Sequence, residues 1–314
     1  MKDDHEHDLH FSDLVVEVPH SLIIFELRRY PMFRFSVVEK ETPELANGGE
    51  RGQAEYAIEF RHVTRRFQAR NGNAVMTAVN DVSIAIRRGE VVALIGPSGC
   101  GKSTLLNMGA GLYAPSDGEV YVSGRRVTGP SRQVAFMLQK DLLMAWRTIE
   151  QNVQLGMQIR GVPFAQRRSR ATELLERCHL KGFEAHYPHQ LSGGMRQRAA
   201  LARTLAVEPD VLLMDEPFSA LDAQTKMVLQ QDLAHMLASE RKTAMLITHD
   251  LAEAIALSDR VYVMSERPGT IIEEIEIDLP LRDNPLERRK LPHMNDYVGR
   301  LMELLKVGRE EHLG

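Results

Sequence analysis

The sequence predicts an α/β fold: an open, parallel core sheet that carries an antiparallel β subdomain and a helical subdomain. Three observations predict it. The stretch VVALIGPSGCGKST, Val91 to Thr104, joins a short apolar run to a glycine-rich turn and a helical start. Further apolar runs, Val211 to Met214 and Ala244 to Thr248, are separated by helical sequence, as parallel strands are when helices connect them. The region before Val91 holds short strand-like runs without helical spacing, and the region from about 142 to 190 is helical without strands.

With 314 residues the chain can bury a full core without covalent staples. Its only cysteines, Cys100 and Cys178, suit a reducing compartment rather than a secreted disulfide scaffold. No apolar run approaches the ~20 residues of a membrane helix, and the acidic start MKDDHEHD lacks the basic region of a signal peptide. The expectation is a soluble protein. A formal net charge of −4 gives no overall pull toward nucleic acid. Arg167, Arg168 and Arg170 read as a solvated helix face.

Residues 1 to 55 hold twelve Asp/Glu against six Lys/Arg and read as an acidic N-terminal extension and linker. His5, His7 and His10 lack a cysteine partner and fit an acidic tail better than a metal site. Met32 to Val38 shows weak strand alternation, and the composition of 42 to 53 is that of a linker. Strands are then expected at Ala57 to Val63, Val82 to Ile86 and Val91 to Ile95, with Phe67 in the loop between the first two, where an aromatic could stack on a base or join the core. GLYAPSDGEVYVSGRRV gives a turn and two short strands, and Gln133 to Leu138 a strand ending at Gln139. Trp146 falls at the start of the helical insertion. A large aromatic beside Arg147 there suits a partner-facing anchor better than a solvent position. LSGGMRQR, 191 to 198, opens a helix to about Val207; helix resumes at Ala223, and Arg260 to Ser265 with Thr270 to Asp278 form a last hairpin. Residues 281 to 314 are expected as a C-terminal helical tail.

The spacing GxxxxGK[ST] is met throughout the loop Gly96, Pro97, Ser98, Gly99, Cys100, Gly101, Lys102, Ser103, Thr104, which reads as a phosphate-binding loop. Glycines let successive N–H groups point at a polyphosphate, Lys102 reaches the outer phosphates, and the helix start lies under the negative charge. Ser103 and Asp215 supply the hard oxygen donors that Mg²⁺ prefers. Glu216 can take a proton from an attacking water. In an open parallel sheet the strand ends share one edge, so the loop, Asp215, Glu216 and His249 can converge. Ser192, Gly193 and Gly194 form a second glycine-rich helix start, a second potential anion site.

Over about 57 to 280 these residues resemble the ATP-binding cassette (ABC) ATPases. Gly96 to Ser103 is similar to the Walker A motif, Gln139 to the Q-loop, LSGGMRQR to the signature, VLLMDE to Walker B with catalytic Glu216, SALD (219 to 222) to the D-loop, and His249 to the switch histidine. The resemblance implies that residues 56 to 280 form the ATPase domain, that Phe67 stacks on adenine, that Gln139 joins Ser103 and Asp215 at Mg²⁺, and that Asp222 lies at the nucleotide interface. It also implies a head-to-tail homodimer with ATP between the phosphate loop of one subunit and the signature of the other. QKDLLMAWRTIEQNV and LSDRVYVMSERPGTI look like the nitrate, sulfonate and taurine importer group, with Ala145 where that pattern commonly has Pro. This likeness implies a transport-coupled ATPase on the cytoplasmic face of a bacterial inner membrane, bound to separate transmembrane permease subunits and served indirectly by a periplasmic solute-binding protein. Two rival readings fit less well. A non-transport ABC ATPase acting on DNA or ribosomes typically has paired cassettes, a coiled coil or zinc modules, and a phosphate-loop kinase has no use for LSGGMRQR.

Overall fold

The β-rich entry is longer than its apolar runs suggest. In the computed structural model, which describes residues 55–68 and 75–306, β1 (Tyr56–Gln68) and β2 (Val75–Arg87) form an antiparallel ribbon paired from Tyr56–Arg87 to Gln68–Val75. Ala78 and Val79 of β2 are buried, but the tips carry exposed Arg66, Gln68, Val75 and Met76, so ladder hydrogen bonds rather than burial extend the strands there. Phe67 therefore lies in β1 opposite Met76, not in a loop. The expected features at Met32 to Val38, at 42 to 53 and at His5, His7 and His10 lie outside the described residues.

β1 also pairs with β4 (Asp117–Val122), and β4 with β5 (Arg125–Arg126), giving the order β2-β1-β4-β5. Between β4 and β5, Ser123 and Gly124 both take positive φ, 49° and 76°, as a two-residue hairpin requires. The second sheet is six-stranded, in the order β10-β9-β3-β8-β7-β6. β3 (Val91–Ile95), β6 (Val134–Met137), β7 (Val211–Asp215), β8 (Thr243–Ile247) and β9 (Arg260–Met264) run parallel; β10 (Ile271–Glu276) closes one edge antiparallel. β3, β7, β8 and β9 are buried at every position, which explains why they are apolar except at the terminal Asp215, Thr243 and Arg260.

Two cores flank this sheet. On one face Val92, Leu94 and Leu213 meet α1 (Lys102–Gly109) and the inner face of the antiparallel sheet through Ile58, Phe60 and Val120. On the other, Ile95, Met214 and Leu246 meet the remaining helices. Between β6 and β7 come α2 (Ile149–Ile159), α3 (Phe164–Arg177), a 3₁₀ turn at Pro188–Gln190, and α4 (Gly193–Leu205). α2 begins in a capping box between Thr148 and Gln151, and buries Ile149, Val153 and Met157 at four-residue spacing against α3 and α4. The buried Asn152 fixes the preceding segment: its Nδ2 donates to Met144 O, Arg147 O and Thr148 O at 3.0–3.1 Å, and its Oδ1 accepts from Met144 N at 2.7 Å. Trp146 is thereby held in a turn ahead of α2, 66% exposed. Arg168 is exposed as expected, but Arg167 and Arg170 are half-buried; Arg167 reaches back to Gln154 of α2.

After β7 come α5 (Ala223–Ser239) and, behind β8, the short α6 (Leu251–Leu257), which the sequence pattern did not mark as a helix. α7 (Pro285–Arg288) and α8 (Met294–Leu304) pack on α5 and α6. Arg288, 1% exposed, ties this end down by donating to Ser258 O and Leu279 O at 2.8 Å. Burial lowers its pKa to about 10. Among the described residues no helix is long and apolar enough to cross a membrane.

Cys178, at the end of α3, offers a test of this packing. Burial pushes its thiol up to about 12, so at pH 8 almost none is thiolate. Native protein is expected to resist iodoacetamide at Cys178, and denaturant is expected to release full labelling. Rapid native labelling in a peptide-resolved mass measurement would contradict the packing.

Candidate functional site

Parallel register brings the expected groups to one edge. Ile247 of β8 lies between Leu94 of β3 and Asp215 of β7, so these strands end level and their following loops emerge side by side. β6 ends beside them, with Met137 opposite Met214, and delivers Gln139.

From β3 the chain enters the glycine-rich loop. Gly99 and Gly101 take φ of 76° and 113°, and a Cβ on Gly101 would stand 2.7 Å from Val79 Cγ2 and 2.8 Å from Ala78 O. Only glycine fits there. α1 then starts without a side-chain cap, whereas Thr148, Ser192, Asp222 and Asp250 cap α2, α4, α5 and α6. Its first N–H groups keep the partial positive charge that attracts an anion. Lys102 Nζ lies across the loop, donating to Gly96 O at 2.7 Å and Pro97 O at 2.8 Å. Cys100 is buried, Ser98 and Ser103 are exposed, and Thr104 lies half-buried in the first turn of α1.

Asp215 is 7% exposed and shares a hydrogen bond with Ser103. Burial raises its carboxyl above the usual carboxylate range, and the charge of Glu216 adds to this, against the Ser103 bond and Lys102. Glu216 leaves the strand with φ of 48°, in the left-handed region that side-chain-bearing residues seldom occupy. Its N–H still donates to Ile247 O at 3.0 Å. The turn presents its carboxylate to two neighbours: Gln139 Nε2 donates to Oε2 at 3.0 Å, and His249 Nδ1 lies 3.5 Å from Oε1. Three different strands thus meet at one carboxylate.

The described hydrogen bonds do not include Ser192 or Asp222 in this cluster; each caps its own helix. Ser192 Oγ accepts from Met195 N at 3.3 Å, and Asp222 Oδ1 from Thr225 N at 3.0 Å, which holds the Asp222 carboxyl below its usual range. Ser192 and Gly193 are exposed and Gly194 half-buried, facing Leu221 and Ala220 of the segment after Glu216. Phe67 is half-buried, edge-on to Tyr113 at 5.8 Å, with Arg65 over its ring at 4.8 Å.

Sequence pattern did not mark several supporting groups. Lys226 of α5 bonds Asp250 and the buried Glu253 at 2.8 Å each, fixing the residue that follows His249. The spacing Asp250-x-x-Glu253 before an apolar run is a helix-start signal that could have revealed α6. From α4, Arg196 Nε donates to Asp141 Oδ2 at 3.0 Å, and Arg203 to Asp141 O and Leu142 O at 2.6 and 2.8 Å, so the signature helix grips the segment after Gln139. Nothing in the local sequence announces those carbonyl contacts.

Of the hard oxygen donors expected for a divalent cation, the Ser103 hydroxyl and the Asp215 carboxylate are in contact, and Gln139 lies beside Glu216, the next residue. Among the described residues no group of three or more His, Cys, Asp and Glu could hold a metal alone. The set therefore fits a cation that takes its other ligands from phosphate and water.

Comparison with known proteins agrees with this geometry. The family model described as ABC transporter matches residues 79–219. A nitrate import ATP-binding protein of Synechocystis sp. is 41% identical over 258 residues, 81% of this chain and 96% of that protein. A taurine import ATP-binding protein of Roseobacter denitrificans is 37% identical over 260 residues, 82% of this chain and 97% of that one. Among solved structures, a dimeric ATP-binding cassette in a post-hydrolysis state, bound to ADP and Pi, superposes with a TM-score of 0.65 at 32% identity, covering 70% of this chain and 98% of that one. A phosphate loop, a strand-end carboxylate pair and a flanking glutamine and histidine on one sheet edge, with relatives matched over nearly their full length, place this chain in the family of ABC transporter ATP-binding proteins.

Proposed function

We propose that the chain is the ATP-hydrolysing subunit of a bacterial importer for nitrate, sulfonate, taurine or a related small solute. The carrying observation is Glu216, held between Gln139 and His249 beside Lys102, Ser103 and Asp215. The solute class rests on the similarity to nitrate and taurine import proteins. ATP is the substrate; residues 56 to 280 are its domain, and 1 to 55 an extension.

In this reading the N–H groups of Gly99 to Thr104 and the start of α1 bind the phosphates, and Lys102 exchanges its loop carbonyls for phosphate oxygens. Phe67 takes the adenine. Ser103, Asp215 and Gln139 would hold Mg²⁺, which when bound neutralises phosphate charge. Glu216 accepts the proton of the attacking water, while the contacts from Gln139 and His249 orient its carboxylate. Ser192 to Gly194 and Asp222 serve the ATP of a second copy across a head-to-tail interface.

The partners are that second copy and a permease pair at the cytoplasmic face of the inner membrane, with a periplasmic binding protein acting indirectly. Trp146 and Leu142, both exposed before α2, are the anchors for the permease. Trp146→Ala should leave ATPase activity of the isolated subunit unchanged and release the protein from permease-containing membranes. Retention on those membranes would remove Trp146 from the interface. Deletion of the gene should abolish uptake of one such solute from low concentration; normal uptake of the whole class would overturn the solute assignment.

A further inference from the structure

The turn between β9 and β10, Ser265 to Thr270, has no part in the chemistry above, yet it lies directly behind the phosphate loop. It is a closed turn: Ser265 N donates to Thr270 O at 2.9 Å, and Thr270 N to Ser265 Oγ at 3.0 Å. Gly269 stitches it to β2, donating to Ala78 O at 3.0 Å and accepting from Asn80 N at 2.9 Å. A Cβ on Gly269 would stand 2.1 Å from Cys100 O, so turn and loop are in backbone contact.

From this turn Arg267 reaches over the loop. Its Nε and Nη2 both donate to Gly99 O, at 3.0 and 2.7 Å, while Nη1 lies 3.0 Å from Met76 Sδ of β2. The side chain is exposed, and among the described residues it has no carboxylate partner. An arginine in water with no acid to pair, spending its fork on one peptide carbonyl, needs a reason.

We infer that Arg267 is a positioning residue for the phosphate loop. In a trans peptide the C=O and N–H point in opposite directions. Holding Gly99 O outward therefore points the N–H of Cys100 inward, where it donates to Pro97 O at 3.4 Å. Gly99 forms one side of that peptide and Gly101 follows Cys100, and neither has a side chain to restrict the loop, so an external clamp removes conformations that a bound polyphosphate would otherwise have to select against. The same guanidinium adds a fixed positive charge behind the anion site. The planar fork suits this double contact; an ammonium does not reproduce it.

This inference rests on the site binding ATP, and its test separates the two. ATP affinity is measured on the full chain by competition with a fluorescent nucleotide, alongside turnover at saturating ATP. R267A should weaken ATP binding about tenfold, the scale of one charged hydrogen-bonded contact, with turnover at saturation and the nucleotide-free melting midpoint unchanged. Inorganic triphosphate, used as a competitor, should lose the same factor, because the clamp acts on the loop rather than on the base. R267K should recover only part of the affinity, which also decides the matter if R267A folds poorly. Unchanged affinity in R267A, full recovery in R267K, or a loss for ATP without one for triphosphate would each overturn the inference. Failure of the unmodified protein to bind ATP would instead overturn the nucleotide reading of the site.

Discussion

Glu216→Gln is expected to cut steady-state ATP hydrolysis by ~10²-fold or more, the range of a lost general base, while ATP binding stays intact. The amide keeps the volume and planarity of the carboxylate and can still accept the Gln139 Nε2 bond of 3.0 Å. It cannot take the proton of the attacking water. The change is also conformationally matched: Gln tolerates the backbone φ of 48° no worse than Glu, so the turn out of β7 survives. In the proposed reading binding comes from the phosphate loop and Lys102, which the substitution does not touch. Hydrolysis near the unmodified rate, measured with a coupled assay at saturating ATP, would remove Glu216 from the role of base.

The second large effect is one of location. If Ser192 to Gly194 complete the ATP site of the partner, lesions in the phosphate loop and in the signature act on opposite sites. Lys102→Ala removes a positive charge from the phosphates; Ser192→Arg places bulk at an exposed helix start, at a capping cost of about 1 kcal/mol, too little to unfold the chain. In a mixed dimer with one change in each subunit, both lesions fall in one composite site and the other stays whole. With both changes in one subunit, each site carries one lesion. The first design should bind one equivalent of ATP per dimer tightly and the second none, read as nucleotide stoichiometry on purified heterodimers. Equal occupancy in the two designs would leave Ser192 as a helix cap and nothing more.

The buried strands were the most legible part of the chain, because a strand covered on both faces must be largely apolar, and β3, β7, β8 and β9 carry polar residues only at their ends, Asp215, Thr243 and Arg260. The loop and the strand-end carboxylates were legible for a related reason: their chemistry demands particular residue types at fixed spacing. The outer halves of β1 and β2 were not. At their tips exposed Arg66, Gln68, Val75 and Met76 are held by the ladder, and hydrogen bonding between backbones leaves no trace in side-chain identity. Phe67 was misplaced for that reason. α6 was missed because only seven residues separate Asp250 from Ser258, too few to show a period. The left-handed turn at Glu216 and the reach of Arg267 and Arg203 to distant carbonyls are properties of assembled backbone, and any arginine reads alike in sequence whether it meets a carbonyl or water.

The outer strand of the larger sheet has a bearing on how the molecule behaves at high concentration. Among the described residues β10 ends the sheet with one side unpaired, and an open strand edge invites the same strand of another molecule to add on. Along it run Glu273, Glu274 and Glu276, two of them drawn into internal pairs with Arg300 and Arg260. A second copy laid alongside would bring these carboxylates close to its own and would have to compete for the arginines that already hold them. At the opposite margin β6 is only four residues long and lies under α4. The two margins thus discourage edge-to-edge pairing of one molecule's sheet with another's.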